Sequence, residues 1–456
     1  MAETKPELLA RHFEGAGRTL EAIDGWMKAG YQAQQHSALR ECAAYLQKAI
    51  SLLETLPEDD PARLKSEMEA QLALSTALMS TIGWGSREAE AACIRARDLC
   101  EKLGNGPGLI GALWGLWTVY LLHGTIAPSL EAAKQVLQVA LPTGDPGLEI
   151  VARQAIGYSC YFLGDFATAR GHAEKALAFY TPEGDRKLVA VFQLPLAFAC
   201  GNYLMMSNWF MGYAEQAEQA RKNAWAAIEA LDIPACTVYA LACAMMIDFA
   251  RRDYATVQQS SEKLCQLADD GGFLLWAAQG RIYRGWVQAM KENADAGIAE
   301  MKAGLESYRL TGSNLMTPQF YIMMAEAQLR ANRPGEALAA LSRGMTHVND
   351  FREHVHEPEL HRLRGEILIA QGAASAGEAS LNRAIEIARA QQARMLELRA
   401  AIVLAKHIRT QGRITEAIGL LQPLCDWFEE GRDLPELRET REILESLGCA
   451  AQNTGA

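Results

Sequence analysis

The chain reads as an all-α protein, a right-handed superhelical solenoid of about eleven helical hairpins, mostly with a 40-residue period. Three observations predict it. Pairs of small residues seven apart recur at a nearly fixed step, apolar residues recur at three- and four-residue spacing as in Leu130–Leu141 and Ile414–Leu424, and alternating strand-like runs are absent.

The small pairs carry most of the argument. Two helices cross closely only where small residues let the backbones approach. In tetratricopeptide-like repeats two such positions lie seven apart on the second helix, and a turn residue, often Gly, precedes the first by five. That frame gives Gly17 with Ala22/Ala29, Ser37 with Cys42/Ala49, then Ala89/Ala96, Gly124 with Ser129/Val136, and Gly164 with Ala169/Ala176. It continues with Gly212 and Ala217/Ala224, Arg252 and Val257/Leu264, Gly297/Gly304, Asn332 and Ala337/Gly344, Gly372 and Gly377/Ala384, and Gly412 and Ala417/Leu424. The first members step by 20, 47, 40, 40, 48, 40, 40, 40, 40 and 40 residues. A phase held through the last five steps is hard to reach by chance, even in an alanine-rich chain.

First helices carry their own small position twelve residues before the pair: Gly157, Gly285, Ala325, Gly365 and Ala405, expected to face the neighbouring hairpin. Trp117, Met205 and Met245 depart from that rule. Pro146, Pro234, Pro318 and Pro358 fall near the starts of first helices, where a missing N–H costs nothing. A 40-residue hairpin exceeds the 34 of the standard tetratricopeptide unit, so its helices are longer by roughly a turn and a half.

Two long steps mark kinks, near 57–61 in the Pro- and acid-rich LETLPEDDPARL and near 181–186 in TPEGDRKL, the latter followed by a long apolar helix around Val189–Met206. The array divides accordingly into two N-terminal hairpins (1–57), a first solenoid segment (58–183), a second (184–449) and a frayed tail (450–456), with Met1–Lys5 frayed as well. These segments form one continuous array, since each hairpin buries its apolar face only against its neighbours. Gly431–Leu447 is charged enough to serve as a soluble cap.

The formal net charge of −11 repels phosphate backbones, and no local basic face compensates, so nucleic acid is not an expected partner. No stretch of 18 or more apolar residues is present, and the first residues lack a secretory pattern. The ten cysteines form no C-x-x-C pair; Cys93/Cys100 and Cys236/Cys243 read as buried free thiols, which fits a reduced cytoplasmic compartment.

Catalytic motifs are absent. Neither a phosphate loop nor a dinucleotide fingerprint occurs, and the Gly-rich run Gly104–Gly111 lacks the lysine and reads as a link between helices. His354, His356 and His361 lie close together, but the segment has no fourth ligand at fixed spacing and reads as a polar lead-in to a helix opening at Pro358. No catalytic residue, metal or cofactor is assigned. Projecting the 40-residue frame onto the first helices puts Trp114, Tyr158, Tyr161, Asn202, Trp209, Tyr239, Gln279 and Trp286 on the concave face, an aromatic and weakly polar trough that offers rigid anchors to a partner. The competing reading packs several of them between hairpins.

Several stretches resemble the tetratricopeptide-like C-terminal region of bacterial regulators that join a class III adenylate/guanylate cyclase to a STAND-type AAA+ ATPase. They include residues 6–33, SALRECAAYLQKAISLLETLP (37–57), YFLGDFATARGHAEKALAFY (161–180), PELHRLRGEIL (358–368) and LPELRETREILESL (434–447). The resemblance spans about residues 6–447. It implies a regulatory arm that senses a partner and controls an output domain in signal transduction. Neither the cyclase nor the ATPase part is present here, so no catalytic residue carries over. The expected partner is a protein or peptide held in the groove; the alternative is a small-molecule effector in the mid-chain aromatic pocket.

Overall fold

A computed structural model describes residues 5–36, 38–192 and 194–454. Among these the chain is helical, with no strand. Contacts divide it into two compact units, Met1–Ala155 with Ser307–Leu315, and Ile156–Glu306 with Met316–Ala456.

The first unit runs through α1 (Pro6–Gly15), α2 (Thr19–Gln35), α3 (Leu39–Leu53), α4 (Pro61–Thr81), α5 (Arg87–Leu103), α6 (Gly106–Leu122) and α7 (Ile126–Ala140) into the start of α8 (Pro146–Phe162). Starts are set by caps: Asp60 accepts from Ala62 N and Arg63 N just before Pro61, and Ser86 accepts from Ala89 N. Only Gly104 and Asn105 of the Gly-rich run form a turn. The rest opens α6, where the Asn105 side chain caps Gly108 N. The carbonyl of Leu122 at the end of α6 accepts from Asn314 N at 2.7 Å and from Leu315 N at 3.2 Å.

The second unit continues with α9 (Phe166–Leu177), α10 (Pro182–Phe192), α11 (Leu196–Met211), α12 (Ala214–Leu231), α13 (Pro234–Ala250), α14 (Tyr254–Gly271), α15 (Leu274–Lys291) and α16 (Ala294–Leu310). It closes with α17 (Thr317–Arg330), α18 (Pro334–Phe351), α19 (Glu357–Ala370), α20 (Ala374–Ala390), α21 (Arg394–Thr410), α22 (Ile414–Trp427) and α23 (Pro435–Thr454). The apolar run expected as one helix around Val189–Met206 is two, α10 and α11. Pro195 supplies the N-cap of α11, and the residue before a proline is pushed out of the helical region. The tail expected to fray from residue 450 is helical to Thr454.

Every member of the eleven small pairs is buried, and the pairs fall on α2, α3, α5, α7, α9, α12, α14, α16, α18, α20 and α22. The predicted turn residues Gly17, Gly124, Gly164, Gly212, Gly372 and Gly412 all have positive φ. Arg252 (φ 60°) and Asn332 (φ 58°) occupy the same frame position and adopt the same left-handed turn without being glycine. Ser37 lies outside the described residues.

The first-helix small positions correct the expectation. A Cβ on Gly285 would meet Gly297 O at 2.8 Å, and one on Gly365 would meet Gly377 O at 2.9 Å, so both face their own second helix. Gly157 does face the next hairpin, where a Cβ would meet the Tyr203 ring at 2.6 Å.

Candidate functional site

In the second unit the first helices of successive hairpins, α11, α13, α15, α17, α19 and α21, pack side by side, and α11 packs against α21. The row therefore closes on itself. Backbone bonds hold the closure: Phe162 O, at the end of α8, accepts from His354 N at 2.8 Å and Val355 N at 3.2 Å. Arg399 on α21 donates to Ala250 O, the end of α13, at 2.6 Å and to Glu436 Oε1 through Nε at 2.9 Å. Orphan carbonyls at the ends of first helices thus find donors from elements about four hairpins further on.

All eight groove residues named from the sequence are buried, none more than 8% exposed. Trp114 belongs to the first unit, on α6, edge-on to Trp84 at 6.5 Å and tilted against Trp117 at 5.8 Å. The other seven lie on first helices of the second unit. Tyr158 and Tyr161 share one face of α8. The Tyr158 ring meets Tyr203 at 5.8 Å, and its hydroxyl lies 3.8 Å from Cys243 Sγ on α13. Burial pushes the hydroxyls of Tyr158, Tyr161 and Tyr239 well above the ordinary range.

Trp286 goes elsewhere. It stacks on Tyr254 at 4.8 Å, and its Nε1 donates to Glu326 Oε2 at 3.0 Å. Glu326 also accepts from Arg252 at 2.8 Å, and Arg252 reaches Glu359 at 3.2 Å. Arg362 donates to Glu359 at 2.7 Å. Burial alone would raise the Glu359 carboxyl, but Arg362, Arg399 and Arg252 outweigh it and hold the group down at about 2. Trp209 lies under the Arg251 guanidinium, 5.5 Å from ring centre to charge.

Sequence reasoning named two members of a longer register. Tyr239, Gln279, Gln319, Glu359 and Arg399 stand 40 apart at one position of successive first helices. Gln279 Nε2 donates to Ala242 O at 2.8 Å, and Gln319 Nε2 to Tyr283 Oη at 2.9 Å. Extending the step that found Gln279 would have found Gln319, Glu359 and Arg399. Several buried polar atoms on these helices make no hydrogen bond: Tyr161 Oη, Asn202 Oδ1, Asn208 Oδ1, Trp209 Nε1, Gln279 Oε1 and Gln319 Oε1. Such atoms normally cost free energy unless something binds them.

The three neighbouring histidines part company. His354 Nδ1 pairs with Glu357 Oε2 at 2.8 Å, whereas His356 packs edge-on to Phe210 and burial lowers it to about 4. Among the described residues no group of three or more His, Cys, Asp or Glu is placed to hold a metal. A cleft of about 400 Å³ lies beside His354, lined by Asp165, Glu357, Arg383 and Glu386. Its charges are matched internally, with Arg383 on Glu386 at 3.4 Å. The described cysteines are free. No described helix alone is long and apolar enough to cross a membrane.

No family model matches the chain. It is 23% identical over 396 residues to the uncharacterized protein R02095 of Rhizobium meliloti (strain 1021), covering 86% of this chain and 38% of that protein. The chain thus spans well under half the length of that relative. Among solved structures it is similar to a Rap protein complexed with competence and sporulation factor. The TM-score is 0.60 at 11% identity, over 81% of this chain and 99% of that one. It also matches the STAND protein with a tetratricopeptide repeat sensor from Pyrococcus horikoshii, at TM-score 0.42 and 14% identity, over 86% of this chain and 57% of that one. A human IFIT1 dimer with m7Gppp-AAAA matches at TM-score 0.47 and 14% identity, over 98% and 95%. The fold is a tetratricopeptide-like helical solenoid.

Proposed function

We propose that the chain is a protein-interaction scaffold, a regulatory arm that binds a protein segment along the inner faces of its first helices and acts in cytoplasmic signal transduction with a cyclase- or ATPase-type regulator. The observation that carries this reading is the regular array of first helices, whose inner register sets Tyr239, Gln279, Gln319, Glu359 and Arg399 at one position of successive hairpins. The Rap protein of the same fold is described in complex with a factor. That the curated relative is much longer suits an arm attached to, or working beside, an output domain.

A peptide or protein partner is favoured over RNA by the net charge of −11. Catalysis is not part of this reading: the strongly perturbed carboxylate Glu359 is occupied by two guanidiniums in an ion cluster rather than aimed at an open pocket.

The test is capture of partners from lysate, with Asn202→Ala/Gln279→Ala as the control. This control is preferable to alanine at Tyr158 and Trp209, because both rings are buried and their loss would cost on the order of 3–5 kcal/mol of core packing. A partner captured equally by parent and control would place the binding surface elsewhere.

A further inference from the structure

Helix α10 stands outside the repeat. The frame steps by 48 residues from Ala169 to Ala217 instead of 40, and α10 falls in that long step, between the α8–α9 and α11–α12 hairpins. It is amphipathic: Asp185, Val189 and Phe192 are buried, whereas Arg186, Lys187, Ala190 and Val191 are exposed. Val189 joins an apolar cluster with Phe198 of α11, Ile228 and Leu231 of α12, and Cys236 and Tyr239 of α13. Leu194, Trp225, Ile233 and Trp276 pack half-buried against the same cluster. Tyr239 is also one of the residues projected onto the concave face.

The buried face of α10 carries a carboxylate. Asp185 is 3% exposed; Oδ1 accepts from Ala197 N at 3.2 Å, and Oδ2 is buried without a partner. No cation faces it. Helix α11 has no charged residue. Arg186 donates to Ala230 O at 2.6 Å, which sets α10 beside the end of α12, where Glu229 and Asp232 are exposed and of the same sign. The titratable groups that feel Asp185 are Tyr180 ahead of α10, Cys200 of α11 and Cys236 of α13. Burial keeps all three neutral, pushing Cys200 up to about 12 and Cys236 to about 11.

An ionised carboxylate is costly in such a place, and burial raises Asp185 to about 6. On a lifted, solvated α10 it would titrate near 4. The docked helix therefore holds more protons. Docking is strongest below about pH 4, weakens as the pH rises to 6, and stays weaker above.

We propose that α10 is a lid over the α11–α13 cluster, docked while Asp185 is protonated and lifting when it ionises, so that Tyr239 and its apolar neighbours are uncovered. The lid goes beyond partner binding along the inner faces and does not require it, so a test of lifting and partner capture fail independently.

Two native thiols serve as reporters in the full chain. Cys236, 2% exposed, lies in the cluster under α10. Cys265 of α14, 4% exposed, lies at another crossing, where a Cβ on Gly280 would meet its Sγ at 2.8 Å. The chain is labelled with dithiodipyridine, which reacts in acid as well as at neutral pH, and each site is read by peptide mass spectrometry. The ratio of the Cys236 rate to the Cys265 rate cancels thiol ionisation and global unfolding. The lid predicts that this ratio rises by about tenfold from pH 5 to pH 7.5 in the parent and stays flat in Asp185→Asn. Val189→Ala thins the buried face without touching Asp185, and it keeps the test decisive should Asp185→Asn misfold. It should raise the ratio several-fold at both pH values and retain the step. A ratio independent of pH in the parent would overturn the proposal. So would an equal step in Asp185→Asn, or an unchanged ratio in Val189→Ala.

Discussion

Asp185 sits on α10 with one oxygen accepting from Ala197 N at 3.2 Å, near the start of α11, and the other buried without a partner. Burial raises its pKa to about 6. Since the unfolded value is near 4, the folded state holds more protons than the unfolded between those limits. Stability therefore falls as pH rises through that window and stays lower above it. Asp185→Asn keeps the acceptor and removes the charge. Urea unfolding should show the variant more stable than the parent by about 3 kcal/mol at pH 7.5, with the gap closing near pH 4. Glu359 has the opposite sign: its depressed pKa stabilises above about pH 4.5, and the contribution is lost as the pH falls toward 2. Glu359→Gln leaves Arg252 and Arg362 partly unmatched in a buried site. It should cost on the order of 3–5 kcal/mol in the same assay. At this scale the sequence was least informative. Gln279 and Tyr239 were legible because they fall in a projected register. The pairing of Arg252 with Glu326 and Glu359, 74 and 107 residues away, depends on how hairpins curl around, which spacing within one hairpin does not encode.

Helices and turns were far more legible, because a close crossing leaves a local mark. Gly297 shows why. A Cβ there would lie 2.3 Å from Gly285 O and 2.4 Å from Ala289 N, both backbone atoms that cannot swing aside. Gly297→Ala should cost on the order of 1–3 kcal/mol by thermal melting. Gly171, within α9, meets nothing within 4 Å, so Gly171→Ala should stabilise by about 0.5–1 kcal/mol through helix propensity alone. Ala169→Leu, two residues away but at a buried pair position, should cost about 1–3 kcal/mol. Opposite signs for these neighbours in α9 are what the repeat phase demands. The misread stretch, Val189–Met206, has a simple cause. Its apolar residues continue across the break, so composition favoured one helix, while Pro195 starts a second.

Closure of the first-helix row in the second unit leaves Asn202, Trp209, Tyr239 and Gln279 buried. The repeat period alone says nothing of how many hairpins complete a turn, so aromatics expected along an open trough could not be recognised as interior. Arg399 is one fastener, bonded to Ala250 O and Glu436. Arg399→Met should speed amide exchange in the last turn of α13 and leave α15 unaffected, as read by hydrogen-exchange mass spectrometry.

The central claim is that partners are read by the inner faces of the first helices, not by the outer surface. The most direct measurement is the affinity of a captured partner for three proteins: the parent, the inner-face variant Asn202→Ala/Gln279→Ala, and an outer-face variant, Gln258→Ala/Glu262→Ala on exposed positions of α14. The account predicts at least about tenfold weaker binding to the inner-face variant at an unchanged fold, and parental affinity for the outer-face one. Loss of binding in the outer-face variant, with the inner-face variant binding like the parent, would contradict it.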